Sequence, residues 1–149
     1  MVADAASLEG LADGSFDGVT CCLALTDIDD LEGMFAATHR VLRPGGWLAV
    51  ATVHPCFEPP HSRKLDVDGR RWTQVAHYFE EGRWYSPPGD GPRAKAGTYH
   101  RRLSTILNLL VDTGFRLDRL SEPKGPPELL ETNPNYGEVA EILGIRASR

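Results

Sequence analysis

The chain has 149 residues, 41% of them hydrophobic and 25% charged, with a formal net charge of −5. This length and composition are typical of one globular domain with a core of its own and exclude a disordered chain. No basic face dominates the sequence, which argues against nucleic acid or an anionic membrane as a partner.

The cysteines and the amino terminus bear on location. Cys21 and Cys22 are adjacent within an apolar segment, which favours free thiols in a reducing compartment over a disulfide framework. No apolar run reaches the ~20 residues that span a bilayer. Residues 1–10 also lack the basic and apolar regions of a signal peptide. The sequence therefore predicts a cytoplasmic protein without a membrane partner.

The apolar pattern predicts two parallel strands joined by a helix. The first strand candidate is residues 16–23, and the second is residues 47–53. Because the second candidate is polar only at Thr52, it suits a strand that is buried on both faces of a parallel sheet. Two parallel strands with a crossover helix make a βαβ unit.

The helix of this unit is predicted from one apolar face and from its end signals. Aspartates at positions 27, 29 and 30 supply an N-cap and favourable charge at the positive end of the helix dipole. Pro44-Gly45-Gly46 is predicted to end the helix and to turn the chain into the second strand. The apolar face has helical spacing and is formed by Leu31, Met34, Phe35, Thr38 and Leu42.

Residues 54–100 are predicted to form an insertion that is rich in proline and glycine. Asp68-Gly69 and Glu81-Gly82 are turn signals beside the extended runs WTQVAHYF and RWYS, so a small hairpin is predicted there. Residues 87–97 predict a loop. The insertion is too short and too interrupted to be a second domain, and we interpret it as a flap within the first.

Regular structure is predicted again after residue 102. Gly114 suits the left-handed position that follows a helix, and residues 115–120 predict a strand. Residues 122–135 predict a proline-rich loop, and residues 139–147 predict a last strand that pairs antiparallel with residues 115–120. The helix before Gly114 is indicated by an apolar stripe of Leu103, Ile106, Leu107 and Leu110.

Several segments match one family pattern in order and spacing. They are VADAASL and DGSFDGVTCCLALTDIDD before residue 31, HRVLRPGGWLAV at 39–50, YHRRLSTILNLLVDTGFRLDRLSEP at 99–123, and VAEILGIRA at 139–147. Together they resemble the second half of the class I S-adenosylmethionine-dependent methyltransferases of the small-molecule type. The resemblance implies a single α/β domain over residues 1–149. Its sheet would be a partial doubly wound, Rossmann-like sheet with an antiparallel C-terminal strand and an aromatic-rich β insertion.

The family pattern also contains a glycine-rich loop of the G-x-G-x-G type, which approaches the cofactor, and no such motif occurs in this sequence. We therefore expect an N-terminally truncated domain whose binding of S-adenosylmethionine is weak or absent. Three interpretations stay open. The chain is a mis-started or truncated piece of an enzyme that methylates a small molecule, or a non-catalytic remnant that serves as a dimerisation or partner-binding module, or an unrelated α/β binding protein.

The resemblance assigns cofactor contacts to two short segments. Asp4 and Ala5 match the family loop in which an aspartate side chain and the next backbone N–H contact adenine. The alternative makes Asp4 the cap of a short turn over residues 5–8. Ala24 and Leu25 follow the first strand, at the edge where open α/β sheets bind ligands. Plain helix capping by Asp27 is the alternative there.

His54 is the candidate general base, because it follows the second strand and an imidazole pKa of about 6.5 suits proton transfer. The alternative is a hydrogen-bonded structural histidine. Methyl transfer also proceeds by alignment and desolvation alone, so a base is not required. The histidines at 61, 77 and 100 lack zinc-ligand spacing, and no metal site is predicted.

The insertion concentrates the aromatic residues, which suits a pocket for a small, partly apolar substrate. Arg101 is expected to meet a substrate carboxylate, and an exposed helix start is the alternative. A small core inside the flap is the alternative for the aromatics and is favoured for Trp72 and Phe79. The predicted pocket residues are Phe57, Trp84, Tyr85, Tyr99, His100 and Arg101.

A truncated sheet has a further consequence at the first strand. Residues 16–23 would lie at a border of the sheet and carry the apolar side chains of Val19, Cys21 and Leu23. An exposed apolar edge strand pairs readily with another chain. We therefore expect a homodimer through this edge.

Overall fold

The computed structural model describes residues 2–57, 62–88, 91 and 93–149 and folds them into a mixed α/β structure. Its strands are β1 Phe16–Cys22, β2 Leu42–Val53, β3 Arg63–Val67, β4 Arg70–Gln74, β5 Gly82–Trp84, β6 Thr98–His100, β7 Arg116–Ser121 and β8 Ile142–Ser148. Its helices are α1 Leu31–Val41, α2 Arg93–Ala96, α3 Leu103–Asp112, α4 Pro127–Thr132 and α5 Asn135–Glu138, with a 3₁₀ turn at Leu25–Asp27. No described helix has the length and apolar character that crossing a membrane requires.

The main sheet has four strands in the order β1-β2-β8-β7. β1 and β2 are parallel and are joined by α1, so the predicted βαβ unit is confirmed. β8 is antiparallel to both β2 and β7 and lies between them. The predicted pairing of the last strand with residues 115–120 is therefore confirmed, and β8 gains a second partner in β2. This is the predicted α/β sheet with an antiparallel C-terminal strand.

The ends of α1 follow their predicted signals in part. Asp30 is the N-cap, and its carboxylate accepts a 2.8 Å hydrogen bond from the backbone N–H of Gly33. At the other end the helix stops at Val41, and Leu42 already belongs to β2, where it pairs with Phe16. The expectation that Leu42 completes the helical face is wrong, because strand pairing outweighs the helical spacing. Gly45, with φ +76°, lies in an irregular part of β2 and needs the left-handed freedom of glycine.

The core lies on one face of the sheet, beneath α1 and α3. β2 alternates between buried and half-buried residues. One of its faces is therefore buried, as expected, and the other is half-buried. That buried face includes Thr52, the one polar residue of the predicted strand. The buried hydrophobic side chains of the helices and of β2 and β8 include Met34, Phe35, Leu48, Val50, Ile106, Leu110, Leu143 and Ile145.

Among its described residues, the insertion forms two small antiparallel strand pairs rather than the one hairpin predicted. Asp68 and Gly69 have φ of +52° and +72° and connect β3 to β4, as their turn signal predicts. RWYS does not pair with WTQVAHYF, because β5 pairs antiparallel with β6. Within the predicted loop 87–97, residues 93–96 form α2, and residues 89, 90 and 92 lie outside the described part of the chain, as do residues 58–61 with His61.

Polar contacts attach the insertion to the rest of the domain. Lys64 in β3 lies 2.8 Å from Glu141 at the start of β8. Glu81 accepts a 2.7 Å hydrogen bond from the backbone N–H of Arg102 and so caps the start of α3. The small core expected around Trp72 and Phe79 is wrong, since these side chains are 56% and 80% exposed. The flap is held by polar contacts instead.

Candidate functional site

A pocket of ≈ 90 Å³ lies at the carboxyl ends of β1 and β2. This is the edge at which the sequence predicts ligand binding, because the loops after parallel strands meet there. The pocket is lined by Leu25, Thr26, Thr52, Val53, Pro55, Trp84, Arg93, Thr98, Tyr99, His100, Arg101 and Ile106. The loop after β1, the end of β2 and the flap therefore converge on one site.

The loop after β1 is held in a fixed shape. Leu23 has φ +53°, which ends the strand and turns the chain into the 3₁₀ turn at Leu25–Asp27. Ala24 caps this turn with its backbone, and the Leu25 side chain is buried in the core. Thr98 of β6 donates a 3.2 Å hydrogen bond to the Thr26 carbonyl. The flap thereby fixes the backbone of the loop that the sequence assigns to ligand contact.

Arg101 joins the flap to the same loop. Its guanidinium donates hydrogen bonds of 2.7 Å and 2.6 Å to the carbonyls of Ile28 and Asp29 and lies 5.0 Å from the ring centre of Tyr99. Burial lowers the pKa of Arg101, and the nearby Tyr99 and Asp29 oppose that shift. The side chain lines the pocket while its donors serve backbone carbonyls. Its assignment to a substrate carboxylate stays a prediction.

His54 is buried beside the pocket rather than in its lining. Its Nε2 lies 2.8 Å from a carboxylate oxygen of Glu122, and its Nδ1 accepts a 3.2 Å hydrogen bond from the N–H of Cys56. Because Nδ1 is the acceptor, the hydrogen is on Nε2, which donates a hydrogen bond to the Glu122 carboxylate. The arrangement is typical of a structural histidine, and the role as general base stays a prediction.

The chain is similar to methyltransferases of known structure. Residues 1–50 match the family model described as a methyltransferase domain. An S-adenosylmethionine-dependent methyltransferase from Mesorhizobium loti superposes with a TM-score of 0.78 at 27% identity, over 99% of this chain and 68% of that one. A Listeria monocytogenes protein assigned to the same class gives a TM-score of 0.80 at 21% identity, over 97% and 66%. The chain has the class I methyltransferase fold.

Two further comparisons concern the fold and the length of the chain. The glycopeptide N-methyltransferase MtfA in complex with S-adenosylhomocysteine has a TM-score of 0.61 at 16% identity, over 99% of this chain and 60% of that one. A Haemophilus influenzae protein described as uncharacterized is 28% identical over 130 residues, which cover 78% of this chain and 46% of that protein. The chain spans about half the length of this curated relative.

In the methyltransferase fold, the resemblance places adenine contacts at Asp4 and Ala5. Asp4 is exposed, and its Oδ1 accepts a 2.9 Å hydrogen bond from the N–H of Ala6, which is the turn cap that the alternative interpretation expects. Within the described residues, neither the second carboxylate oxygen of Asp4 nor the N–H of Ala5 has a hydrogen-bond partner. Both groups therefore remain able to contact a ligand, and neither lines the pocket.

The predicted substrate residues of the methyltransferase fold divide into two groups. Phe57 packs against His54 with ring centres 4.8 Å apart, and Tyr85 is exposed beside Arg83, so the structure keeps both out of the pocket lining. The four predicted residues that the structure brings together in the lining are Trp84, Tyr99, His100 and Arg101. Sequence reasoning missed Thr98, since nothing local distinguishes a threonine after a glycine.

His100 and Tyr78 form a buried contact behind the pocket. A ring nitrogen of His100 lies 2.8 Å from the carbonyl oxygen of Tyr78, and the Tyr78 hydroxyl accepts a 3.0 Å hydrogen bond from the N–H of Leu103. Burial raises the pKa of Tyr78, so its hydroxyl remains protonated at neutral pH. The contact links β6, the flap and the first turn of α3.

Proposed function

We propose that the protein to which these residues belong transfers a methyl group from S-adenosylmethionine to a small-molecule acceptor. The observation that carries the proposal is the position of the pocket at the carboxyl ends of β1 and β2 in a class I methyltransferase fold. Ligands of open α/β sheets bind at that edge. The name of MtfA supports the same chemistry for a related fold.

The residues present fit one part of the cofactor. The unpaired carboxylate oxygen of Asp4 and the N–H of Ala5 offer an acceptor and a donor side by side, which complements the edge of an adenine ring. The pocket of ≈ 90 Å³ is well below the ~300 Å³ at which small-molecule sites begin. Asp4 and Ala5 supply one wall of a cofactor site, so we expect S-adenosylmethionine to bind weakly.

The bound cofactor would supply an electrophilic methyl group. The residues of this chain orient and enclose the reaction. Arg101 and Thr98 hold the carbonyls of the loop at residues 25–29, which keeps Leu25 and Thr26 at the pocket. Trp84 and Tyr99 line the pocket with aromatic surface, and keeping water away from the reacting groups would favour displacement at a charged sulfonium. His54 acts by fixing the turn after β2 through its bonds to Glu122 and Cys56.

The open edge of β1 supports the proposal of a homodimer. β1 pairs with β2 and has no partner on its other side within the described residues. The N–H of Leu23 points to the Ala51 carbonyl of β2, so by alternation the backbone groups of Thr20 and Cys22 point outward. These unpaired groups form a template for strand pairing with a second copy.

Titration of the chain with S-adenosylhomocysteine, followed by two-dimensional NMR of its amides, tests the proposed function. We expect weak binding, with a dissociation constant of about 1 mM or more, and shifts at Ala5, Ala24 and Leu25. Asp4→Asn should reduce these shifts because it replaces an acceptor oxygen with a donor. Glu9→Gln, an exposed carboxylate in the same segment, is the matched control.

Shifts that are confined to other residues would remove the support for methyl transfer at this edge. So would the absence of any shift at about 10 mM ligand, which corresponds to a binding free energy weaker than about 3 kcal/mol. Micromolar affinity would contradict the weak binding that we expect. Equal shifts in wild type and Asp4→Asn would exclude Asp4 from the adenine contact.

A further inference from the structure

A second and larger cleft lies between the β3–β4 hairpin and α5. Its volume of ≈ 700 Å³ is within the range of roughly 300–1,000 Å³ that small-molecule sites occupy. It is lined by Asp66, Gly69, Arg70, Arg71, Trp72, Thr73, Pro134, Asn135, Glu138 and Val139. From the sequence, Trp72 is assigned to a small core and Asp68-Gly69 to a turn. Neither assignment predicts a ligand site.

The cleft is lined by charged side chains of both signs that form no ion pairs among the described residues. The side chains of Arg70 and Arg71 make no ion pair or hydrogen bond in the described part of the chain, and the same holds for the side chains of Asp66 and Glu138. Asp66 and Arg71 are cross-strand neighbours in the hairpin, yet no ion pair joins them. Unpaired charges of opposite sign in one cleft complement a ligand that itself carries both an anionic and a cationic group.

Asn135 is a buried polar residue in the wall of the cleft, with 1% of its surface exposed. Its side-chain amide donates a 3.4 Å hydrogen bond to the Thr73 hydroxyl and so joins α5 to β4. Its Oδ1 has no hydrogen-bond partner among the described residues. Buried acceptors are nearly always paired, so this oxygen is an unsatisfied group inside the wall of the cleft rather than a contact that a ligand reaches directly.

Trp72 provides an apolar surface at the same cleft. Its side chain is 56% exposed, which is unusual for so large an apolar group. An exposed indole next to guanidinium groups suits an aromatic or apolar ligand body, by stacking and burial. The cleft thus offers an apolar surface, cations and anions together.

The hairpin side of the cleft is tied to the edge of the sheet that holds the first pocket. Lys64 in β3 is paired with Glu141, and the backbone carbonyl of Glu141 accepts a 2.8 Å hydrogen bond from the N–H of His54. His54 directly follows β2, and its neighbours Val53 and Pro55 line the first pocket. The hairpin that lines the larger cleft is therefore attached to the edge of the sheet that holds the first pocket.

We propose that this cleft binds a small zwitterion, an amine that also carries a carboxylate, with an aromatic or apolar body. Arg70 and Arg71 receive the carboxylate, Asp66 and Glu138 receive the ammonium group, and Trp72 contacts the body. The binding of this ligand does not depend on the proposed function. Its identification as the methyl acceptor does.

Isothermal titration of the 149-residue chain with three matched probes tests the proposal. L-Phenylalanine carries both charges, phenethylamine lacks the carboxylate, and 3-phenylpropionate lacks the amine. We expect L-phenylalanine to bind about tenfold more tightly than either singly charged probe, which is the usual value of one charge-assisted hydrogen bond. Trp72→Ala should weaken all three.

Two charge-removing variants separate the two ends of the ligand. Arg71→Gln should weaken L-phenylalanine and 3-phenylpropionate by about tenfold and leave phenethylamine unchanged. Glu138→Gln should weaken L-phenylalanine and phenethylamine and leave 3-phenylpropionate unchanged. Arg119→Gln, at an exposed arginine of β7, is the matched control and should change none. Circular dichroism of each variant confirms that it is folded.

Equal affinity for the three probes, or the same loss in Arg119→Gln as in Arg71→Gln, would overturn the zwitterion site. So would a folded Arg71→Gln or Glu138→Gln that binds all three probes as the wild type does. The outcome is distinct from that of the S-adenosylhomocysteine titration, because no cofactor is present and no residue near Asp4 is changed.

Discussion

The guanidinium of Arg101 donates a 2.7 Å hydrogen bond to the backbone carbonyl of Ile28. This bond joins the end of the flap, just before α3, to the loop between β1 and α1. A second bond to the Asp29 carbonyl and the contact with the Tyr99 ring hold the guanidinium in place. Arg101 therefore positions the loop that forms one wall of the pocket.

Replacing Arg101 with methionine tests this positioning role. The substitution keeps an unbranched side chain and leaves the carbonyls of Ile28 and Asp29 without their donor, so we expect a loss of about 2 kcal/mol in the free energy of unfolding. Urea denaturation measures this loss. Arg43→Met is the control, because the Arg43–Asp17 ion pair is exposed and should contribute about 0.5 kcal/mol or less. An equal effect of the two variants would contradict the role of Arg101.

The strand–helix–strand unit can be predicted from sequence because its signals are local. The apolar run of β1, the spacing of α1 and the cap at Asp30 each involve a few neighbouring residues. The start of β2 cannot be predicted in this way. Leu42 continues the helical spacing, and its assignment to the strand depends on Phe16, which lies far away in sequence. Tertiary pairing decides such positions.

The flap and the pocket show the same limit. Asp68-Gly69 specifies its turn locally, but the partner of β5 is chosen by which segment lies beside it, and that segment is β6. Trp84, Tyr99, His100 and Arg101 could be assigned to a pocket from their chemistry. The carbonyl partners of Arg101 could not be predicted, since they lie 72 and 73 residues away in sequence.

Glu81 makes the stability of the domain depend on pH. Burial raises its pKa, but hydrogen bonds from Thr105 and Arg102 outweigh that effect, so the pKa in the folded state is below its ordinary value of 4.5. The unfolded chain binds the proton more readily, so the stabilisation is present above pH 4.5 and is lost as the pH falls through the folded pKa.

Glu81→Gln should reduce this pH dependence. We expect it to cost about 1 kcal/mol at pH 7, where the charge-assisted bond to the Arg102 N–H is weakened, and less below pH 4. Urea denaturation between about pH 3 and pH 7 measures both effects, each of which is expected to be about 1 kcal/mol or less. Glu9→Gln, at an exposed carboxylate, serves as the control. Parallel stability curves for wild type and Glu81→Gln would refute the assignment.

The Lys64–Glu141 pair should hold the β3–β4 hairpin against the sheet. The Glu141 side chain is 8% exposed, so Lys64→Met leaves a buried carboxylate without its 2.8 Å partner. We expect a loss of about 1–3 kcal/mol in unfolding free energy and faster hydrogen exchange at residues 63–74. Adding Glu141→Gln should restore part of the loss, because it removes the buried charge. Lys124→Met, at an exposed lysine, controls for charge. A double variant no more stable than Lys64→Met would rule out this coupling.

The outward edge of β1 is the predicted dimer contact. The N–H of Thr20 points away from β2, so Thr20→Pro removes a donor from the open edge and leaves the β1–β2 ladder intact. Light scattering during size-exclusion chromatography should show a dimer for the wild type and a monomer for Thr20→Pro. Val19→Pro is the matched comparison: by alternation its N–H points to β2, so this variant should lower stability instead. A monomeric wild type, or a Thr20→Pro variant that remains dimeric, would show that copies of the chain do not pair through this edge.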